Sequence, residues 1–103
     1  MEKNLLKRIK QGLQEVYGDR LAGVVLYGSE ARGDAAADSD IDLLVVLRNK
    51  GSHLQEHRVI MDAIYPLVLE SGRPIHAKPV DADAYSRAEF PLYMEAHREG
   101  IPV

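Results

Sequence analysis

The stretch "LYGSEARGDAAADSDIDLLVV", residues 26–46, decides how the chain is read. An apolar run, Val24-Val25-Leu26-Tyr27, stops at Gly28-Ser29. Ten residues later Asp40-Ile41-Asp42 opens a second apolar run that continues to Leu47. Both runs have the composition and length of buried strands, with glycine punctuating the first. Side chains alternate along a strand, so Asp40, Asp42, Leu44 and Val46 share one face while Ile41, Leu43, Val45 and Leu47 share the other. The backbones of the two aspartates are then roughly 6–7 Å apart. At a carboxylate separation of about 5 Å and an effective dielectric near 20, their repulsion is on the order of 3 kcal/mol. A fold gains nothing from that repulsion unless a cation offsets it. A hard divalent ion such as Mg²⁺ binds through a few carboxylates plus phosphate oxygens. A D-x-D pair also occurs as an ordinary turn and helix cap.

Gly28-Ser29 bears on that choice. A strand that ends in Gly-Ser and runs into a helix start exposes backbone N–H groups and a hydroxyl, a geometry that suits phosphate. Ser29 is equally a plain N-cap. Arg32, one turn on, has the reach and charge for a phosphate or a carboxylate. No Gly-Lys-Ser/Thr follows, so this is not a Walker loop.

Outward from this stretch, helical periodicity covers residues 3–17, with Leu5, Leu6, Ile9, Leu13, Val16 and Tyr17 apolar and Gly18 as the stop. The strands are placed at 22–27 and 41–47, with "EAR" opening a short helix and "GDAAADS" a loop. Residues 53–71 repeat Leu54, Val59, Ile60, Ala63, Ile64, Leu67 and Val68 at helical spacing; Pro66 is expected to kink this helix and Gly72 to end it. "IHAKPV", 75–80, is a third strand with Pro79 at an edge or an end. Residues 82–99 are helical in two pieces broken before Pro91, and "IPV" is a tail. The order predicts an α/β (α+β) fold: a small mixed sheet of three or more strands, with helices packed mainly on one face.

The totals limit the alternatives. A length of 103 residues predicts one domain spanning 1–103. The absence of cysteine excludes disulfides and thiolate metal sites. A net charge of −3 with interspersed signs supplies no basic patch for nucleic acid. The charged N-terminus and the lack of a long apolar run predict a soluble, cytoplasmic protein. His53 and His57 have metal-ligand spacing but no third ligand nearby in sequence, so they are read as an exposed helix face. Tyr27, Met61 and Met94 are read as packing residues.

Gly-Ser, ten residues and D-x-D, flanked by strands and set in an "ARGD" context, resemble the signature of the nucleotidyltransferase superfamily that includes DNA polymerase beta. The wording is closest to the minimal nucleotidyltransferases, and the resemblance covers nearly the whole chain. It implies that Gly28 and Ser29 hold a nucleotide triphosphate, that Asp40 and Asp42 are catalytic and bind Mg²⁺, and that Arg32 supports the phosphates. It implies attack on the α-phosphate of ATP or another NTP, with pyrophosphate released. Many minimal members act as antitoxins by placing AMP on a HEPN-domain toxin, which makes such a partner the expected acceptor. The complete family has a third carboxylate on the strand after the long helix. Here that strand offers His76 and Lys78, neither acidic. Asp81 or Asp83, just beyond, is left to take the third metal position, Asp81 being the nearer. The same two residues suit the turn and N-cap of the next helix, which is the reading favoured. A chain short of that carboxylate is, in the alternative, a degenerate module that binds its partner without transfer.

Overall fold

A computed structural model describes residues 3–33 and 40–103. The chain order is α1 (Lys3–Tyr17), a 3₁₀ turn (Gly18–Arg20), β1 (Leu21–Tyr27), α2 (Ser29–Arg32), β2 (Ile41–Leu47), α3 (His53–Ser71), β3 (Ile75–Asp81), α4 (Ala82–Ser86), α5 (Pro91–Glu99) and β4 (Ile101–Pro102). The "GDAAADS" loop falls at 34–39 outside the described residues, apart from Gly33.

Four strands form one sheet in the order β3-β2-β1-β4. β1 pairs antiparallel with β2 and with β4, and β2 pairs parallel with β3. The parallel pair needs a long crossover, and α3 supplies it. A β-bulge at Ala22 lets Leu21 face Leu47 while Gly23 faces Val46.

The alternation read in β2 sorts its side chains into two cores. Ile41, Leu43, Val45 and Leu47 join Val24, Leu26, Ile75 and Ala77 beneath Leu5, Ile9 and Leu13 of α1 and Ile60, Ile64 and Leu67 of α3. On the other face Val25, Leu44, Val46 and Val80 pack against Tyr93 and Ala96 of α5, with Ala82 and Tyr85 of α4 alongside. The two long helices cover one face and two short ones the other. The mixed sheet with packed helices is the expected one, while the second face carries helices and a core of its own. His97 Nε2 meets the Tyr85 carbonyl at 2.6 Å and the two rings stack, joining α5 to α4.

Three local expectations change. "IPV" is not a free tail: Ile101 and Pro102 pair with Leu26 and Val25, and the Val103 N–H donates to the Val24 carbonyl at 2.9 Å. Gly100 permits this. A Cβ there would lie 2.4 Å from the Ala96 carbonyl oxygen and 2.7 Å from Val25 Cγ1, so only glycine lets the chain turn from α5 into the sheet. Second, α3 runs unbroken through Pro66, which stands on its exposed side. Third, Leu54 and Met94 point to solvent rather than into a core.

Candidate functional site

Both aspartates of the D-x-D stand at the start of β2. Register places Tyr27 of β1 and His76 of β3 on either side of Asp42. Asp42 shares its face with Leu44 and is half-buried, while Asp40 is exposed just before the strand. The turn after β1 closes over Asp42. Gly28 has φ +75°, and a Cβ at that position would lie 2.9 Å from Asp42 Oδ2. A side chain there would be strained by its backbone angle and would press on the carboxylate. Glycine therefore brings the Gly-Ser backbone directly against the D-x-D. The Gly28 carbonyl accepts the Arg32 N–H at 3.2 Å, which closes α2; Ser29 opens that helix and Arg32 ends it, exposed. Gly28, Asp40 and Asp42 thus meet at one end of the sheet, ten residues of sequence separating the two halves.

The electrostatics follow from this packing. Burial pushes the Asp42 carboxyl above the ordinary carboxylate range; His76 pulls it down and Asp40 pushes it up. Burial likewise raises the Tyr27 hydroxyl, with Asp42 adding to the effect. Tyr27 packs on the second core, as expected of a core residue. Asp42 therefore carries a negative charge at a cost, the property expected of a group meant to meet a cation.

The third position is where sequence and structure part. Asp81 pairs with Leu47, five residues along the β2–β3 register from the Asp42–His76 pair. At about 3.3 Å per residue that is roughly 16 Å away. Its carboxylate instead accepts the Ala84 N–H at 3.0 Å and caps α4. Asp81 is thus the N-cap of α4, the role favoured for it in the sequence, and Asp83 lies beyond it inside α4. The residue of β3 that does reach the site is His76, whose Nε2 is 2.9 Å from Asp40 Oδ2. Lys78 follows on the same face, exposed and opposite Leu44. The His76 contact was not foreseen, although the position was noted as lacking an acid.

Among the described residues no three His, Cys, Asp or Glu side chains gather closely enough to hold a metal ion. Asp40 and Asp42 fit the mode in which one or two carboxylates bind Mg²⁺ and substrate phosphates supply further oxygens. They do not fit a cage of three protein carboxylates. His53 and His57 stack at 6.4 Å on the exposed start of α3 and belong to no such group.

Comparison with known proteins agrees with the geometry. The model of the family described as "Nucleotidyltransferase domain" matches residues 6–93. The chain is 34% identical over 85 residues to "Putative protein adenylyltransferase MJ1305" of Methanocaldococcus jannaschii, covering 79% of this chain and 58% of that protein. It is 30% identical over 56 residues to a second protein of that organism with the same designation, MJ0141, covering 54% and 57%. The chain spans a little over half the length of these relatives. Its fold matches a "putative minimal nucleotidyltransferase" at TM-score 0.58 and 28% identity, over 98% of this chain and 94% of the other. It also matches the spectinomycin adenyltransferase AAD(9) of Enterococcus faecialis, solved with ATP and spectinomycin, at TM-score 0.64 and 21% identity, over 79% and 34%; that likeness concerns the fold. With the family model matched across most of its length and the Gly-Ser and D-x-D elements brought together, the chain belongs to the nucleotidyltransferase domain family.

Proposed function

We propose that this chain transfers a nucleoside monophosphate, AMP from ATP, to a hydroxyl of a partner protein. The single observation that carries the reading is the approach of Gly28 to Asp42, which sets a phosphate-binding turn against paired carboxylates. In this reading Gly28 and Ser29 receive the triphosphate, and Arg32 supports it from the end of α2. Asp40 and Asp42 hold Mg²⁺, which when bound supplies charge neutralisation and orientation at the phosphates. His76 fixes the Asp40 carboxylate through its 2.9 Å contact. The acceptor oxygen forms a bond to the α-phosphorus as the bond to the β-phosphate oxygen breaks. Pyrophosphate leaves, and the acceptor's proton passes to solvent.

A protein acceptor is supported by the designation of the relatives, "Putative protein adenylyltransferase". By the family resemblance the partner is a HEPN-type toxin and this chain its antitoxin. The test is incubation with α-labelled ATP and Mg²⁺, with and without that partner, following label on protein. Label on the partner that disappears in Asp40→Asn/Asp42→Asn supports the reading; a partner that binds the chain yet never acquires label defeats it.

A second reading has its own observation. The side chain that β3 brings to the D-x-D is an imidazole, His76, and Asp81 serves as a cap. A chain that has given up transfer and neutralises its partner by binding alone would look like this. Stable complex formation with no pyrophosphate release is its expected result.

A further inference from the structure

Lys78 is a charge without an evident structural task. It is exposed on β3, opposite Leu44 and two residues beyond His76. Arg8 is taken up by Glu70, Arg20 by Glu56 and Arg87 by Glu89. Among the described residues the Lys78 ammonium meets no hydrogen-bond or ion-pair partner. A lysine on an edge strand commonly serves to block pairing with another chain. Here that task is already done. The Ile41 N–H donates to the Pro74 carbonyl, so in this parallel ladder Ile75, Ala77 and Pro79 turn their backbone groups away from β2. Pro79 has no N–H to offer, and Ile75 and Ala77 are only 4% and 3% exposed.

Its place relative to the site supplies a task. β1 and β3 flank β2 on opposite sides. In the transfer reading above, on which this inference rests, the β- and γ-phosphates lie at Gly28-Ser29 past the end of β1, and the α-phosphorus lies over the D-x-D of β2. In-line displacement sets the attacking oxygen opposite the leaving one. Pyrophosphate leaves toward β1, so the acceptor hydroxyl arrives over β3. There His76 and Lys78 share the sheet face of Asp42. At about 3.3 Å per residue and about 4.8 Å between strands, the Lys78 backbone is roughly 8 Å from that of Asp42. Its flexible four-carbon stem carries the ammonium beside the acceptor's path. A hollow of about 380 Å³ continues around the edge of β3, where His53, His57 and Met61 of α3 meet Ile75, His76 and Lys78. None of its lining residues is acidic.

We infer that Lys78 is a specificity-determining residue that selects protein segments carrying a carboxylate beside the acceptor hydroxyl. An ammonium at the rim of the acceptor's path pairs with such a carboxylate and repels a basic segment. The imidazoles lining the hollow offer N–H donors to the same segment. A nucleic-acid acceptor would bring a row of phosphates, which calls for a row of cations. One lysine, on a chain of net charge −3, does not supply it.

The test reads binding and so does not hang on activity. The isotope-labelled chain, in Mg²⁺ and a non-hydrolysable ATP analogue, is titrated in NMR with two pentapeptides: tyrosine flanked by four glutamates, and tyrosine flanked by four lysines. The glutamate peptide is expected to bind at least about fivefold more tightly, shifting the amides of β3 and of the start of α3. Lys78→Glu reverses the order of the two peptides and Lys78→Arg keeps it, while ATP affinity in calorimetry stays within about twofold of wild type. The position is exposed, so circular dichroism should report an unchanged fold. Peptides that bind alike, or not at all up to about 10 mM, overturn the inference. So does an order unchanged in Lys78→Glu, or a set of shifts away from β3. Loss of ATP affinity in Lys78→Glu also overturns it, since the lysine would then hold the nucleotide's own phosphates, and so does a single-stranded oligonucleotide that displaces the glutamate peptide. Failure of the transfer reading looks different: the glutamate peptide still binds by way of Lys78, while the partner protein takes no label from α-labelled ATP.

Discussion

The two ends of the sheet treat a buried carboxylate in opposite ways. At one end Asp42 sits under the Gly28 turn, its carboxyl pushed up by burial and by Asp40 with only His76 opposing. At the other, Glu56 in the first turn of α3 is 6% exposed and fully partnered. It accepts the Gly51 N–H at 3.1 Å, the Tyr17 hydroxyl at 3.2 Å and the Arg20 guanidinium. Burial alone would raise its carboxyl, but these donors outweigh that and hold it below the ordinary range. The same carboxylate pushes the Tyr17 hydroxyl, already raised by burial, to about 12. Arg48 completes this end, its side chain donating to the Asp19 carbonyl at 2.6 Å and its N–H to the Arg20 carbonyl at 2.7 Å. One end is a finished structural network. The other leaves a charge in want of a cation, as a binding site does.

The largest effect on stability is expected where the network is complete. Glu56→Ala removes the shared acceptor of three donors and should cost about 2 kcal/mol, less than a fully buried pair because Arg20 is itself partly exposed and can be resolvated. Urea denaturation measures it, and a change within about 0.5 kcal/mol would mean that the network is decorative. Next, Gly28→Ala forces a side chain into a left-handed backbone and against Asp42 Oδ2; it should cost about 1 kcal/mol or more and abolish Mg²⁺-dependent ATP binding in calorimetry. Asp81→Ala loses the α4 cap and should cost about 1 kcal/mol while leaving ATP binding intact. Loss of binding in that variant would return Asp81 to the metal site.

The pH dependence separates the two carboxylates by sign. Asp42 has a raised folded pKa, so the native state holds more protons than the unfolded chain just above the ordinary aspartate value of about 4. Its contribution to stability therefore falls as pH rises through that window. Glu56 has a lowered pKa, so its contribution is present above the ordinary glutamate value and is lost on acidification below about 4. Difference profiles of wild type against Asp42→Asn and against Glu56→Gln should slope in opposite directions; slopes of the same sign would break the comparison.

Much of this was legible in the sequence, for reasons that differ by element. The periodicity of residues 3–17 and 53–71 and the alternation after Asp40 return as α1, α3 and β2 with the bounds they imply. These signals are local and repeat over many residues. Gly28 and the D-x-D were legible because their chemistry is local and their spacing is fixed. What escaped the reading depends on distant pairing. β4 is two residues long, too short for any pattern, and exists because Gly100 packs on Ala96 and Val25. Glu56 reads as a solvated helix residue until Arg20, 36 positions earlier, is brought beside it. The contact of His76 with Asp40 depends on a parallel register across α3. Leu54 shares its spacing with the buried stripe but falls on the other side of the helix.

The most direct test of the account is the thermal unfolding of wild type and Asp42→Asn, each with and without ATP and Mg²⁺. The amide removes a charge that the fold holds at a cost. The account predicts a higher Tm than wild type without ligand and no further rise when nucleotide and metal are added, whereas wild type gains stability from both together. A variant that melts below wild type, or one that still gains stability from ATP only when Mg²⁺ is present, would contradict the claim that this end of the sheet carries an uncompensated charge for a metal-bound nucleotide.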